Sequence, residues 1–590
     1  MKSLFRNLSD GLALKGHDFS RAVERPEWTA ALAAEGKQMI EESVPQGLKP
    51  GLNFAAFTAR LKSCPDTKRI RNRAIQQSVQ SAPFTTIALA GMMGIALVGC
   101  QHAIQQTPAP AAAPPAITTV APTGEISAQQ AKPWEQIPVP KLHDFKPHQP
   151  VRIELKNGIV IFLQEDHELP FVSGSVAIPG GSREEDAGKT GLVALYGQAW
   201  RTSGTAKIGG DALDDLLEAK AAHIETAGDV DSTALSWDSL KGDSDQVFSL
   251  AMDLLFHPQF SAEKLELAQQ QVATGIVRRN DDEEEIAGRE SSKLVYGADS
   301  PYAKQPELAT IGAVTLDDLK AWHDRTLTGK LIVAISGDFD PTAMEAKLRA
   351  AFEGLPPAKP DPVRRDLFAD PKPGVWFIDK EDVNQSNVEI VGLGTDRRNP
   401  DVPALAVMNE ILGGGFASRL FQKVRTELGL AYSVGGGYGF AYDHPATFHA
   451  MVLTKSVSTV DATKAALAEI AGLTTRPFTD EELARAKDNI LNSFLFRYDT
   501  REKVLAERVK LEFYGYPADY LETYKSALEK VTVADLNRVA RKYIHPDKLA
   551  ILVVGNGPEI KPGLDELKLG PVQPIDITIP MPKQPEEKKQ

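Results

Sequence analysis

Residues Phe260–Asp281 read FSAEKLELAQQQVATGIVRRND, and residues Phe478–Asp499 read FTDEELARAKDNILNSFLFRYD. The two stretches align without a gap at an offset of 218 residues. Each begins with Ser or Thr followed by acidic residues, which is typical of a helix N-cap, and continues with the apolar spacing of an amphipathic helix. This repetition indicates that the chain contains two homologous domains.

The elements around the repeated helix also occur twice. Each half opens with two β-rich runs and closes with a capped helix and a buried strand that ends at a glycine, Gly337 or Gly555. The opening runs are Gly158–Gln164 and Val172–Ile178 in the first half, and Gly374–Asp379 and Asn387–Gly392 in the second. Strands, then helices, then a closing strand predict an α+β fold. We expect each domain to be a mostly antiparallel sheet with helices packed on one face.

The predicted organisation has seven segments. The two domains are expected at residues 145–354 and 374–558, joined by a Pro-rich linker at 355–373. The other segments are an N-terminal extension at 1–83, an apolar run at 84–100, a Pro/Ala-rich tether at 101–144 and a disordered tail at 559–590. The extension reflects either too early a start codon, which we favour, or a genuine cytoplasmic segment.

Composition excludes some functions. The net charge of -13 argues against a nucleic-acid-binding protein, because phosphate contacts require clustered Lys and Arg. The only two cysteines, Cys64 and Cys100, cannot build a disulfide framework or a cysteine-based metal site. The 11 histidines include none paired at i, i+4 beside a glutamate.

Cys100 ends an uncharged run, TTIALAGMMGIALVGC, that is too short to span a membrane and has the length of a signal-peptide core. The final residues, LVGC, resemble the lipobox of bacterial lipoproteins, in which the cysteine is lipidated and becomes the mature N-terminus. The alternative is a short buried helix. We expect a lipid-anchored protein of the bacterial periplasm, held at the outer membrane because Gln101 rather than Asp follows the cysteine.

Residues Gly181–Thr205, GSREEDAGKTGLVALYGQAWRTSGT, keep the frame GSR-E…GL…GT. This frame resembles that of the pitrilysin, insulinase and mitochondrial processing peptidase family of inverted zinc peptidases, and the resemblance covers about residues 145–560. The family places H-x-x-E-H inside the frame, as two zinc ligands and a general base. Here the ligand positions are Ala194 and Gln198 and the base position is Gly197. The third ligand, expected 77 residues after Gln198, falls on Gly275. The resemblance therefore implies a chain with no catalytic residues and no metal of its own.

The second half keeps a different family element. Residues Ile411–Val434, ILGGGFASRLFQKVRTELGLAYSV, match the family's C-terminal signature. We expect Gly413, Gly414 and Gly415 to allow positive φ and close backbone approach, residues 418–427 to form a helix, and Gly429 to end it in a left-handed cap. In the family an Arg and a Tyr seven residues apart hold the substrate backbone and stabilise the oxyanion; the matching positions are Arg425 and Tyr432.

This contrast between the halves favours one function and leaves two open. The favoured function is a non-catalytic subunit that donates Arg425 and Tyr432 to a zinc-bearing homologous partner acting on an extended peptide. Zinc is then expected only in the partner, and no cofactor in this chain. The alternatives are a stand-alone peptide-binding or scaffold protein and an active metallopeptidase with a displaced metal site.

Overall fold

The computed structural model describes residues 146–359 and 368–582. Two six-stranded sheets form its framework, one in each half of the chain. The first sheet has β1 (Val151–Glu154), β2 (Val160–Glu165), β3 (Phe171–Pro179), β4 (His223–Gly228), β5 (Ser232–Leu240) and β6 (Ile332–Gly337). The second has β7 (Gly374–Asp379), β8 (Gln385–Leu393), β10 (Ala431–Tyr438), β12 (Thr447–Lys455), β13 (Ala550–Gly555) and β14 (Val572–Pro574). A small parallel pair joins β9 (Thr395–Asp396) to β11 (Phe440–Ala441).

The helices follow the same division. The first half contains α1 (Leu192–Thr202), α2 (Gly210–Ala219), α3 (Ser244–Phe256), α4 (Ala262–Arg278), α5 (Glu283–Tyr296), α6 (Leu308–Gly312), α7 (Leu316–Thr326) and α8 (Pro341–Phe352). The second half contains α9 (Val402–Gly413), a π-helix (Phe421–Glu427), α10 (Thr459–Thr475), α11 (Asp480–Arg497), α12 (Arg501–Phe513), α13 (Tyr520–Lys530) and α14 (Val533–Tyr543). Within these described residues, no helix is long and apolar enough to cross a membrane.

The strand orders show the duplication in three dimensions. The first sheet runs β4-β5-β3-β6-β2-β1, and the second runs β10-β12-β8-β13-β7-β14. In both sheets the strand after the repeated helices, β6 or β13, inserts antiparallel to one opening strand and parallel to the other. The α+β fold with two homologous domains is therefore confirmed. The repeated helices are α4 and α11, and both begin with the predicted cap, since Ser261 and Thr479 accept from backbone N–H groups of the first turn.

Each sheet has a hydrophobic core on one face and a helix of the other half on the opposite face. Ile286, Ala287 and Val295 of α5 pack on the second sheet. Leu505 of α12 packs against Val160 and neighbouring apolar residues of the first sheet. The starts of α5 and α12, like those of α4 and α11, are 218 residues apart. The duplicated unit thus exchanges equivalent helices between its two copies, which the sequence pattern did not predict.

The prediction of a disordered tail is wrong for residues 559–582. Strand β14 pairs in parallel with β7, and Ile575 and Ile577 pack beside α5. The segment is polar and Pro-rich, but one sheet edge supplies its backbone hydrogen bonds. Residues 1–145, which include Cys100 and the tether, lie outside the described residues, as do 360–367 and 583–590.

Candidate functional site

Helix α1 carries the positions where the family places two of its metal ligands and its base, Ala194, Gln198 and Gly197. The buried carboxylate of Glu185 holds the start of this helix, accepting from the backbone N–H groups of Val193 at 2.7 Å and Gly191 at 3.0 Å. A carboxylate there complements the positive end of the helix dipole. Burial nevertheless raises the pKa of Glu185. The acidic residue of the GSR-E frame is therefore a helix cap.

Other frame residues also have structural roles. Arg183 is buried and forms ion pairs with Asp231 and Asp443, each at 2.8 Å, so it joins the first half to the second. Gly191 and Gly204 have φ of +103° and +73°, which side chains rarely adopt. These frame residues thus have structural roles that require neither a metal ligand nor a general base on α1.

The buried side of α1 is filled by aromatic residues. Tyr196 and Trp200 stack at 5.1 Å, and the Tyr196 hydroxyl lies 2.8 Å from Nδ1 of buried His323. Trp200 donates to the Leu254 carbonyl at 2.8 Å. Burial lowers the pKa of His323 to about 4, so its imidazole is neutral at physiological pH. This histidine belongs to the core.

On another side, α1 lies directly against the edge strand β4. A Cβ atom at Gly197 would be 2.7 Å from the Gly228 nitrogen and 3.0 Å from the Ala227 carbonyl carbon, which is closer than packing allows. The Thr226 hydroxyl donates to the Gly197 carbonyl at 2.6 Å. One helical turn after Gly197, the Nε of Arg201 donates to the Ile224 carbonyl at 2.7 Å. The general-base position is thus closed by backbone and cannot hold a glutamate side chain as the helix now sits.

The position of the third ligand, unlike the base position, is not closed by backbone. Gly275 is exposed on α4, and a Cβ atom there would meet nothing within 4 Å. Ala194 is half-buried and Gln198 is exposed, and neither an alanine methyl nor a glutamine amide is a normal zinc ligand. Within the described residues, no group of three or more His, Cys, Asp or Glu side chains is placed to hold a metal ion. The residues present do not fit zinc.

The second half repeats the helix-on-edge contact. Helix α9 lies against β10, the edge strand of the second sheet, and a Cβ atom at Gly413 would be 2.5 Å from the Gly436 carbonyl oxygen. Asn409 of α9 bonds both the N–H and the carbonyl of Tyr438, at 2.8 and 2.9 Å. In both halves a glycine thus allows a helix to lie directly against the backbone of the edge strand, Gly197 in the middle of α1 and Gly413 at the end of α9.

The glycine-rich turn after α9 matches the sequence prediction only in part. None of Gly413, Gly414 and Gly415 has positive φ, so that part of the prediction is wrong. Close approach is confirmed at Gly413, against β10, and at Gly414, against Glu410. The predicted helix over 418–427 is mostly a π-helix, and Gly429 follows it with φ of +64°, as predicted. A π-helix turn displaces side chains relative to an α-helix and is frequent at functional sites.

The structure brings Arg425 and Tyr432 together. The Arg425 guanidinium carbon lies 5.7 Å from the Tyr432 ring centre and 4.7 Å from that of Phe421. Tyr432 is 73% exposed and sits at a bulge between Ala431 and Ser433, a feature that redirects side chains. No hydrogen bond, ion pair or ring contact in the described part of the chain links either residue to Ala194 or Gln198.

Sequence reasoning missed the aromatic residues beside this pair. Phe416 is 76% exposed and packs edge-on against Phe421 at 4.9 Å. The GGGF sequence could have signalled an exposed aromatic, because the flanking glycines provide no apolar side chains to cover it. Phe416, Phe421, Arg425 and Tyr432 together form one exposed cation–aromatic surface on the second half.

Two family models match the chain. Residues 160–291 match the one described as Insulinase (Peptidase family M16), and residues 313–490 match the one described as Peptidase M16 inactive domain. Together they cover more than half of the 590 residues. The chain belongs to the peptidase M16 (insulinase) family. Within this family the chain keeps the frame of the motif, but its ligand and base positions hold Ala194, Gln198, Gly275 and Gly197.

Similar proteins are found across bacteria. A Helicobacter pylori protein named Non-peptidase homolog YmxG is 25% identical over 408 residues, covering 68% of this chain and 92% of its own length. An uncharacterized zinc protease of Mycobacterium leprae is 24% identical over 408 residues, covering 67% and 89%. The peptidase M16 inactive domain from Pseudomonas fluorescens, a crystal structure, has a TM-score of 0.62 at 24% identity and covers 69% of this chain and 98% of its own. That last likeness supports the fold alone.

Proposed function

We propose that this chain is the non-catalytic subunit of a heterodimeric zinc metallopeptidase, and that it donates Arg425 and Tyr432 to the active site of a zinc-bearing homologous chain. The observation that carries the proposal is the contrast between the two halves. The base position is closed by backbone at Gly197, whereas Arg425 and Tyr432 are adjacent and exposed. No hydrogen bond or ion pair within residues 146–359 and 368–582 engages either donor, so the pair is available to a site on another chain.

The chemistry of the pair suits a peptide carbonyl. A guanidinium and a phenol both donate hydrogen bonds, and the guanidinium also carries the charge that a developing oxyanion requires. Contact with the faces of Phe421 and Tyr432 restricts the Arg425 side chain before substrate arrives. Restricting a donor in advance lowers the entropy lost when it engages the transition state.

The substrate in this proposal is an extended peptide that pairs with the partner's sheet rather than with this chain's first sheet. Here α1 contacts β4 from Ile224 to Gly228, so a peptide strand cannot pair at that edge without displacing the helix. This chain would then complete the chamber around the peptide. We also propose a lipid anchor at Cys100 that holds the complex at the outer membrane, facing the periplasm.

The test of the composite site uses the complex of the tagged chain with the homologue that copurifies with it. Arg425→Ala is expected to lower kcat/KM for peptide cleavage by about 10²–10³-fold, the usual effect of removing one oxyanion donor. Tyr432→Phe, which removes only the hydroxyl, is expected to lower it by about tenfold or more. Lys423→Ala is the matched control, since Lys423 lies on the same π-helix and pairs with Glu427.

Unchanged cleavage by the Arg425 and Tyr432 variants would refute the composite site. Copurification with no zinc-bearing homologue would favour a stand-alone scaffold instead. For the anchor, Cys100→Ser is expected to release the protein from the membrane fraction, and retention at the wild-type level would contradict lipidation.

A further inference from the structure

Arg397 lies within a group of tyrosines that comes from four separate segments of the second half. The guanidinium carbon lies 4.2 Å from the ring centre of Tyr442. Tyr516 and Tyr520 pack at 4.8 Å, and Tyr520 and Tyr524 at 6.0 Å. The tyrosine cluster consists of Tyr442, Tyr498, Tyr516, Tyr520 and Tyr524, each near enough for the charge of Arg397 to act on its hydroxyl.

Among the residues that the structure describes, none forms an ion pair with Arg397. Within residues 146–359 and 368–582, no carboxylate lies within ion-pair distance of this arginine, and its buried Nε has no hydrogen-bond partner. Glu507, whose charge acts on Arg397, accepts from the Tyr442 hydroxyl instead. A largely desolvated guanidinium without a carboxylate is costly, so proteins normally pair it. Nearby Arg398, by contrast, has its donors on the carbonyls of Tyr442 and Tyr514.

The edge of the guanidinium is only partly used, because its buried Nε has no hydrogen-bond partner among the described residues. Stacking on Tyr442 covers one face of the plane, whereas the five N–H donors point outward in that plane. Tyr520 takes one of them. A carboxylate binds such an edge through two parallel hydrogen bonds. Arg397 and all five tyrosines keep partial solvent exposure, so a small group can reach them.

One phenol adds a donor. Burial raises the pKa of Tyr524 to about 12, so its hydroxyl is protonated at neutral pH and able to donate. The hydroxyls of Tyr442 and Tyr516 already donate, to Glu507 and to the Tyr442 carbonyl. A site with one planar cation, a neutral phenol and an aromatic wall suits a flat anion with an apolar attachment.

We propose that Arg397 and the tyrosine cluster bind a carboxylate of a peptide, either the C-terminal carboxylate or that of an acidic side chain. This inference requires neither zinc nor a partner chain. A negative result here would therefore leave the proposed composite active site untouched, and failure of the composite site would leave this inference untouched.

Isothermal titration calorimetry of the full chain tests it with three blocked probes: Ac-Ala-Ala-Ala with a free C-terminus, Ac-Ala-Ala-Ala amide and Ac-Ala-Glu-Ala amide. Binding of the first alone identifies a terminal carboxylate, and binding of the third identifies an acidic side chain. The neutral amide is expected not to bind. Tyrosine near-ultraviolet circular dichroism should change with the same saturation curve, because the ligand sits among the rings.

Arg397→Gln is expected to weaken binding by about tenfold or more, the usual effect of losing a charged hydrogen-bonding partner. Arg398→Gln is the neighbouring control and is expected to bind within about twofold of wild type, since its donors are already used. Tyr524→Phe keeps the ring and removes only the hydroxyl, and it is expected to weaken binding severalfold. This second variant tests the same site if Arg397→Gln fails to fold. Equal binding of acid and amide probes, no binding of either acid, or tighter Arg397-dependent binding of inorganic phosphate would overturn the proposal.

Discussion

Two glycines inside helices are expected to respond to the same substitution in opposite directions. Gly197 lies in the middle of α1, and Gly275 lies near the end of α4. Replacing a helical glycine by alanine removes backbone freedom from the unfolded chain and stabilises by about 0.5–1 kcal/mol when nothing opposes it. Both substitutions share this backbone contribution, so the difference between their effects on the free energy of unfolding measures how the added methyl group packs.

At Gly275 nothing opposes the gain. A Cβ atom would meet open space, so Gly275→Ala is expected to stabilise by about 0.5–1 kcal/mol. At Gly197 the same atom would lie 2.7 Å from the Gly228 nitrogen, and the obstacle is backbone that cannot rotate away. Overpacking of this kind costs about 1–3 kcal/mol. Gly197→Ala is therefore expected to destabilise by up to about 2.5 kcal/mol net.

The assay is urea unfolding followed by tryptophan fluorescence and by far-ultraviolet circular dichroism. Trp200, Trp237 and Trp322 are buried in the half that contains both glycines, and Trp376 is buried in the second half, so the measurement is made in a Trp376→Phe background. The transition of that half is compared between variants, because a chain with two domains need not unfold in one step. A Gly197→Ala protein as stable as Gly275→Ala, or more stable, would refute the claim that β4 closes the base position.

Three further outcomes are expected. Burial raises the pKa of Glu389 on β8 to about 7, with a smaller contribution from Glu284, so the folded state binds this proton more tightly than the unfolded state. The free energy of unfolding should therefore fall by about 1.4 kcal/mol per pH unit as pH rises from 4.5 to 7. Glu389→Gln should reduce this pH dependence of the urea midpoint over the same range. Leu505→Ala, at the contact of α12 with the first sheet, should cost about 2–5 kcal/mol in urea unfolding, whereas the exposed control Leu267→Ala should change stability by less than about 0.5 kcal/mol. Arg183→Met leaves Asp231 and Asp443 without their shared cation and should cost about 3–5 kcal/mol by the same assay; a loss below about 1 kcal/mol would show that this pair does not join the halves.

Much of the fold follows from local sequence patterns. Cap residues such as Ser261 and Thr479, the spacing of apolar residues in α4 and α11, and the glycines that end β6 and β13 all act within a few residues of themselves. Their repetition at a constant offset identifies two homologous domains without reference to any other protein. The absence of metal ligands at Ala194, Gln198 and Gly275 is likewise a matter of residue type alone.

Other features depend on residues far apart in the chain, and only the tertiary structure decided them. The sequence shows that glycine replaces the base at position 197, but the closure of that position depends on β4, some thirty residues later. The exchange of α5 and α12, the pairing of β14 with β7, and the tyrosines around Arg397 are contacts between distant segments. Local propensity carries no information about such contacts, because they are selected by which apolar faces and unpaired strand edges remain to be covered once each half has folded.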